Sequence, residues 1–441
     1  MRLKKSVIIL FILFAQCCLI AEEPNLLIQI HTRGNVKQFF QTLDGYYKHL
    51  SGEVNTSFLI LCDEEDSQMN QAEIKNRLQG YQNLILKFKK NQPAVGIAVG
   101  IDTEEVDPFK EWFTLLIVAN DHDIPTVKGF DKKIVEAMNV HFPQKDGVLN
   151  FSEESPEDIQ KINRTPIIGK NYYSSFANLF YPHYKTPSVA LQEFTFISRI
   201  LGKEYISDQK LFERRSVATQ IRSAELAADQ QIYQERAANT FGIEEKTLRK
   251  IFPKEWSILI CTLPERHNSF ERIYNKLLGQ IKENGLEDKV EVLYFIDNRE
   301  NTVGKKRNEL LRRSQGLYTN YIDDDDEVHD NYIKLIYEQL ATSPDCVNLI
   351  GIITFDGKYP RTFIHSVDYN HYFERNEVYY RPPNHLNTMK RSIASRFLFP
   401  NISYSEDTDW AMQVARSGLL KTEAKVKEPF YFYLYVTNKN R

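Results

Sequence analysis

A chain of 441 residues, 42% of them hydrophobic, is long enough to bury the cores of two domains, so two α/β units are the starting expectation. A formal net charge of −3 with 26% charged residues offers neither the basic excess of a nucleic-acid surface nor the acidic block of a disordered tail, and 27 Phe with 24 Tyr argue for packed cores. Nucleic acid is excluded as an expected partner, and composition selects no other.

The chain begins with Arg2, Lys4 and Lys5, then an apolar run from Val7 to Phe14, then Cys17, Cys18, Leu19, Ile20 and Ala21. Positive charge, a short apolar stretch and a small terminal residue read as a secretory signal peptide over residues 1–21, cleaved after Ala21. The run is shorter than the roughly 20 residues of a membrane span, so cleavage is favoured over a signal anchor, and a periplasmic or secreted protein is expected. A membrane would be reached only through an uncleaved signal. A lipoprotein would need a small residue before Cys17, where Gln16 stands. The remaining Cys62, Cys261 and Cys346 make no disulfide framework.

From Leu26 to Ile30 a short apolar run ends in His31-Thr32-Arg33-Gly34, and Phe39, Phe40, Leu43, Tyr46, Tyr47 and Leu50 then recur at helical spacing: strand, loop, helix. A second strand, Ser57 to Cys62, ends in Asp63-Glu64-Glu65-Asp66, and a third, Phe113 to Ala119, ends in Asn120-Asp121-His122-Asp123. Each strand delivers acids at its carboxyl end, where open α/β sheets place their ligands. The order returns after Trp256, with a strand ending at Thr262, a helix through Phe270, Ile273, Leu277 and Ile281, a strand Val290 to Ile296 ending at Asp297, and a strand Leu317 to Ile322 ending at Asp323. Thr262 follows Thr32 by 230 residues, Asp297 follows Asp63 by 234, and Asp323 follows Asp121 by 202. This spacing predicts a duplicated α/β domain, 25–215 and 254–441. Between them, residues 216–253 are rich in Ala, Gln, Glu and Arg until Pro253, and predict a helical connector.

The densest acidic cluster, Asp323-Asp324-Asp325-Asp326-Glu327, follows a strand and precedes a helix from about Asn331 to Leu340. Alternate carboxylates at a strand end suit one hard divalent cation, magnesium or manganese, with positions left for phosphates; a solvated helix N-terminus accounts for the run equally well. About 80 residues on, Glu406-Asp407-Thr408-Asp409-Trp410 opens a second helix.

From Ser257 to about Tyr435 these elements resemble family 2 of the inverting glycosyltransferases with the GT-A fold. The matching elements are the strand and loop at Thr262, the strand-end Asp297, the basic stretch Lys305-Lys306-Arg307-Asn308, the run Asp323 to Asp326, and the pair Glu406-Asp407. The resemblance implies a metal-dependent transfer of a sugar from a nucleotide-diphosphate donor to an acceptor hydroxyl. In it, Thr262, Asp297, Arg307, Asp323 and Asp324 border the nucleotide sugar, Asp325 and Asp323 serve the Mn2+ or Mg2+, and Asp407 takes the acceptor proton. Glu406 is the alternative base, Trp410 either stacks on a sugar or fills the core, and His385 either reaches the diphosphate or metal or is structural.

The first half, Leu26 to about Arg214, is similar to a bacterial and viral group of GT-A-like domains through His31-Thr32-Arg33, Cys62 to Asp66, Asn120 to Pro125, Gly129-Phe130-Asp131 and Gln192-Glu193-Phe194. Asp63, Asp121 and Asp123, with His122 assisting, are candidate site residues there. Leu191 stands where the resemblance leads us to expect a base and Glu193 is the substitute, so the first half reads as a degenerate partner. The competing class is a secreted, non-catalytic carbohydrate- or nucleotide-binding protein built on inactive domains, which the scarcity of nucleotide sugars outside cells would favour.

Overall fold

The structure, a computed structural model, describes residues 24–89, 104–151, 161–215 and 223–436. The predicted signal peptide and the first residues of the connector lie outside them. No helix among the described residues is long and apolar enough to cross a membrane.

The first half runs β1 (Asn25–Thr32), α1 (Val36–His49), β2 (Asn55–Asp63), α2 (Ala72–Leu78), β3 (Leu84–Lys89), β4 (Leu115–Asn120), β5 (Asp123–Pro125), α3 (Phe130–His141), β6 (Val148–Asn150), β7 (Ile167–Gly169), α4 (Lys170–Tyr173), α5 (Pro187–Ile200), β8 (Glu204–Ile206) and β9 (Phe212–Arg214). Seven strands form one sheet in the order β3-β2-β1-β4-β7-β6-β8, with β1 to β4 mutually parallel and β7 antiparallel to its neighbours. Alternation along β1 sends Leu26, Ile28 and Ile30 to a core beneath α1 and α3, and Leu27 to a core beneath α5 on the other face. Strands buried on both faces explain why the sequence shows continuous apolar runs.

The connector contributes α6 (Ser223–Ala238) and α7 (Glu245–Ile251). The second half then runs β10 (Lys254–Thr262), α8 (His267–Glu283), β11 (Val290–Ile296), α9 (Val303–Arg313), β12 (Gly316–Tyr321), β13 (Glu327–Val328), α10 (Tyr332–Leu340), β14 (Cys346–Val347), β15 (Leu349–Phe355), β16 (Lys358–His365), β17 (Phe373–Arg375), β18 (Val378–Arg381), β19 (Met389–Lys390), α11 (Arg391–Ala394), α12 (Glu406–Ser417), β20 (Glu423–Ala424) and β21 (Tyr431–Tyr435). One sheet has the order β11-β10-β12-β19-β14-β20, and a second, β13-β21-β15-β16-β18-β17, stands beside it. The two-residue strand at Met389 leads directly into the four-residue helix α11.

The two halves trace the same path. Strands β2-β1-β4-β7-β6-β8 correspond one for one to β11-β10-β12-β19-β14-β20, with the same parallel and antiparallel relations at every step. The pair β5-β9 likewise corresponds to β13-β21. Register corrects one equivalence drawn from spacing. Leu27 pairs with Leu116 and Ser257 with Thr319, so continuing both ladders to the ends of β1 and β10 sets Thr32 beside Asp121 and Thr262 beside Asp324. Asp121 therefore matches Asp324, not Asp323, and the same step matches Asp123 to Asp326.

Candidate active site

Three parallel strands, β10, β11 and β12, deliver Thr262, Asp297 and the acidic run to one end of the sheet. Thr262 donates its hydroxyl to Asp324 at 2.8 Å, and Arg266, in the loop that follows β10, donates to the other Asp324 oxygen at 2.8 Å. Asp324 is thus a buried anchor of the loop, its carboxyl pushed up by burial against the opposing pull of Arg266. Asp326 is buried too and accepts from the Tyr431 hydroxyl on β21 at 2.7 Å. Asp323 and Asp325 are the two partly exposed members, with side chains 36% and 25% exposed. The run is a tight turn, closed by the Asp326 N–H donating to the Asp323 carbonyl at 3.1 Å, and it sends Asp324 and Asp326 inward and Asp323 and Asp325 outward.

Helix α9 supplies the cations. It is capped by Thr302, whose hydroxyl accepts from the Lys305 N–H at 3.2 Å, and Gly304 lets it close on the 400–402 loop, where a Cβ would meet the Pro400 carbonyl at 1.9 Å. The buried Lys306 then donates to Asp297 at 3.0 Å, and the Asn301 N–H and amide hold the other Asp297 oxygen at 2.9 and 3.0 Å. Burial opposes the Asp297 charge, yet these donors keep its carboxyl below the usual carboxylate range. Arg307, buried against the rings of Tyr321 and Phe399, donates to Asp323 at 3.1 Å and to Glu406 at 3.3 Å.

Glu406 and Asp407 enter from the opposite side in the first turn of α12, where the helix dipole favours carboxylates. Ser405 before them adopts φ 63°, a left-handed conformation that costs a non-glycine residue about 1–2 kcal/mol. It turns Glu406 inward to Arg307 and leaves Asp407 partly exposed. His385, 4% exposed, stands between the two groups of acids, Nε2 at 3.6 Å from Asp323 and Nδ1 at 3.6 Å from Asp407, with no hydrogen-bond partner on either nitrogen. Asp323 feels burial first, but Arg307 and then His385 hold its carboxyl well below the usual range. Trp410 is core: it stacks on Phe399 at 5.0 Å between ring centroids and donates to the Phe397 carbonyl.

The structure brings Thr262, Asp297, Arg307, Asp323, Asp324, Asp325, Glu406 and Asp407 to one end of the sheet. Sequence reasoning missed Tyr431 and Arg266. No signal marks Tyr431, which lies 108 residues beyond Asp323; Arg266, four after Thr262, is found only by asking what neutralises four consecutive acids. Among the described residues no three His, Cys, Asp or Glu side chains converge on a cation-sized position.

The first half repeats the arrangement in part. Thr32 donates to Asp121 at 2.9 Å as Thr262 does to Asp324, and Asp63 pairs with Arg33 at 3.0 Å as Asp297 does with Lys306. His122 contacts Asp121 at 2.9 Å, and Asp123 is buried with its carboxyl pushed up by desolvation. Glu193 belongs elsewhere: Tyr184 and Arg236 of α6 engage both its oxygens at 2.6 Å, which locks the connector to α5. The first turn of α5 carries no acid, whereas that of α12 carries Glu406, Asp407 and Asp409. Leu191 is packed in the core between the sheet and α5.

No family profile and no curated protein matches the chain. Among solved structures it is similar to residues 1–349 of TarS from S. aureus with UDP-GlcNAc, at 13% identity and TM-score 0.38 over 52% of this chain and 71% of that one. It is also similar to the mannosyltransferase PcManGT from Pyrobaculum calidifontis with GDP-Man and Mn2+, at 8% identity and TM-score 0.37 over 52% and 68%. In another TarS 1–349 structure the chain spans 60% of that protein's length, at 13% identity and TM-score 0.29 over 41% of this chain.

Proposed function

We propose that the second half is a metal-dependent, inverting glycosyltransferase that moves a sugar from a nucleotide-diphosphate donor to an acceptor hydroxyl. One observation carries this reading: acids from a strand end and acids from a helix start, about 80 residues apart, meet through Arg307 and His385 in one cluster. A surface acidic loop has no reason to build that meeting, and a donor site joined to a general base requires it.

In this reading Asp323 and Asp325, the outward-facing acids, would hold Mn2+ or Mg2+ with the rest of its oxygens from the diphosphate, which suits cations that use one or two carboxylates. The ion's contribution would be to neutralise charge on the leaving group. Thr262 and Asp324 fix the loop beneath the nucleotide, and Lys306 and Arg307 keep Asp297 and Asp323 ionised and oriented. Asp407, partly exposed at a helix N-terminus, takes the acceptor proton, and His385 positions it. Glu406 is bound to Arg307 and serves structure.

The test is a thermal-shift panel of nucleotide diphosphates and their sugars, uridine and guanosine first, with manganese or with chelator. A ligand at a hundred times its Kd stabilises by about 2.7 kcal/mol. Shifts with manganese that vanish in chelator are expected; equal shifts in both, or none in either, would overturn the metal-diphosphate assignment.

A further inference from the structure

In the second sheet of the second half, β18 ends at Arg381, four residues before His385. The Arg381 guanidinium carbon lies among three aromatic rings, 5.7 Å from the ring centroid of Tyr372, 5.9 Å from that of Tyr379 and 6.0 Å from that of Phe363. Phe363 is buried, Tyr379 and Arg381 are half-buried, and Tyr372 is 36% exposed. Attraction to the rings positions the planar fork without using its N–H groups. Among the described residues the Arg381 side chain has neither a hydrogen bond nor a carboxylate within ion-pair distance.

The other arginine of this patch is settled differently: Arg361 donates to Glu374 at 2.9 Å and to the Tyr379 hydroxyl at 3.1 Å. His365, beside Arg381 in the β16–β18 ladder, is buried, and burial followed by the Arg381 charge brings its pKa down to about 3, so it supplies no counter-charge. Tyr372 links Arg381 to the first turn of α12. Burial, then the Asp407 charge, pushes its phenol pKa up, while the Thr408 hydroxyl and Arg381 pull it down. The half-exposed ring therefore stands between the free guanidinium and the proposed base.

We infer that the acceptor is a sugar carrying an anionic group, phosphate or carboxylate, which Arg381 receives while the Tyr372 ring lies under the sugar; this rests on the transferase reading with Asp407 as base. An acceptor hydroxyl that reaches Asp407 passes beside Tyr372, whose flat ring suits the C–H face of a sugar. The free fork of Arg381 matches the oxygens of a carboxylate or phosphate in bidentate geometry. Asp323, Asp325 and Asp407 make this end of the sheet repel anions, so an anionic acceptor needs a cation of its own, and Arg381 is not already paired. In the transfer the acceptor oxygen bonds to the anomeric carbon, the bond from that carbon to the diphosphate oxygen breaks with its electron pair, and the hydroxyl proton goes to Asp407. Arg381 takes no proton and forms no bond, so it selects the acceptor and is not a catalytic residue.

Saturation-transfer NMR titrations of the full chain with glucose, glucuronate and glucose 6-phosphate test this, in the parent, Arg381→Gln and, as a control on the same patch, Arg361→Gln. The parent and Arg361→Gln should bind one of the two anionic sugars about tenfold or more tighter than glucose, and the tighter of the two identifies carboxylate or phosphate. Arg381→Gln should bind all three within about twofold of one another. If its circular dichroism and Tm depart from the parent's, Arg381→Met, whose unbranched side chain fits between the rings, takes its place. No anionic preference in the parent, a preference kept by the folded Arg381 variant, or one lost equally in Arg361→Gln overturns the inference. The manganese-dependent nucleotide shift, measured on the same proteins, should be equal in the parent and the Arg381 variant. Its absence from the parent fails the transferase reading, whereas its presence without an anionic preference fails this inference alone.

Discussion

Arg307 and His385 join residues whose separate sequence motifs carry no sign of their neighbours, and they set different expectations for Glu406 and Asp407. Asp407→Asn keeps shape and removes proton acceptance, so turnover should fall by roughly two to four orders of magnitude with little change in donor affinity or Tm. Glu406→Gln instead leaves the buried Arg307 with one acid fewer and should destabilise by on the order of 3 kcal/mol, read from urea denaturation. If Glu406→Gln abolished transfer at unchanged stability while Asp407→Asn remained active, the base would be Glu406. The acids themselves were legible from the residue types and their order. Which of four consecutive Asp face outward was not, because that depends on how β12 lies against β10.

At the scale of elements, two helical glycines predict opposite signs. Gly304→Ala drives a Cβ into the Pro400 carbonyl and should cost about 1–3 kcal/mol while displacing Lys306 and Arg307, so nucleotide binding should weaken with stability. Gly279→Ala, in α8 with open space around it, should stabilise by about 0.5–1 kcal/mol and leave binding alone. Equal signs in denaturation would refute the packing account. Asp345 is a second structural clamp: it receives the Lys421 and Thr422 N–H groups at 2.8 and 2.9 Å and Lys390 at 3.0 Å, tying β19 to β20. Burial opposes its charge, but these donors depress its carboxyl below the ordinary range. A depressed folded-state pKa gives stability that is fully present above the unfolded value of about 3.9 and lost as pH falls through the folded one. The stability difference between the parent and Asp345→Asn should therefore be constant from pH 7 to about 5 and shrink below about 4. A difference that grew on acidification would have the wrong sign.

For the whole molecule, the strand order shared by the two halves leaves them with different site residues. The first half has Thr32, Asp63 and Asp121 at its strand ends, but the first turn of α5 carries no acid where that of α12 carries Glu406 and Asp407. Asp121→Ala should then leave most turnover intact, whereas Asp325→Ala should remove it and the metal dependence of nucleotide binding, with both variants folded. Equal loss in the two would show that the first half takes part in the chemistry. The contacts that unite the halves involve Arg199 to the Arg396 carbonyl at 3.0 Å and Phe196 against Phe397.

The sequence by itself determined the α/β class, the repeated strand-loop-helix path and the acids at strand ends, because apolar period and strand-terminal charge are local properties of the chain. Helices α6 and α7 fall in the stretch before Pro253 whose composition predicts helix. Tertiary structure alone decided the equivalence of Asp121 with Asp324, the confinement of Glu193 to a buried pair with Arg236, the core position of Leu191, the Tyr431 contact and the setting of Arg381 among three rings. Each of these depends on strand register or on packing between segments dozens to hundreds of residues apart, and a one-residue shift in register reverses which side of a strand a residue faces.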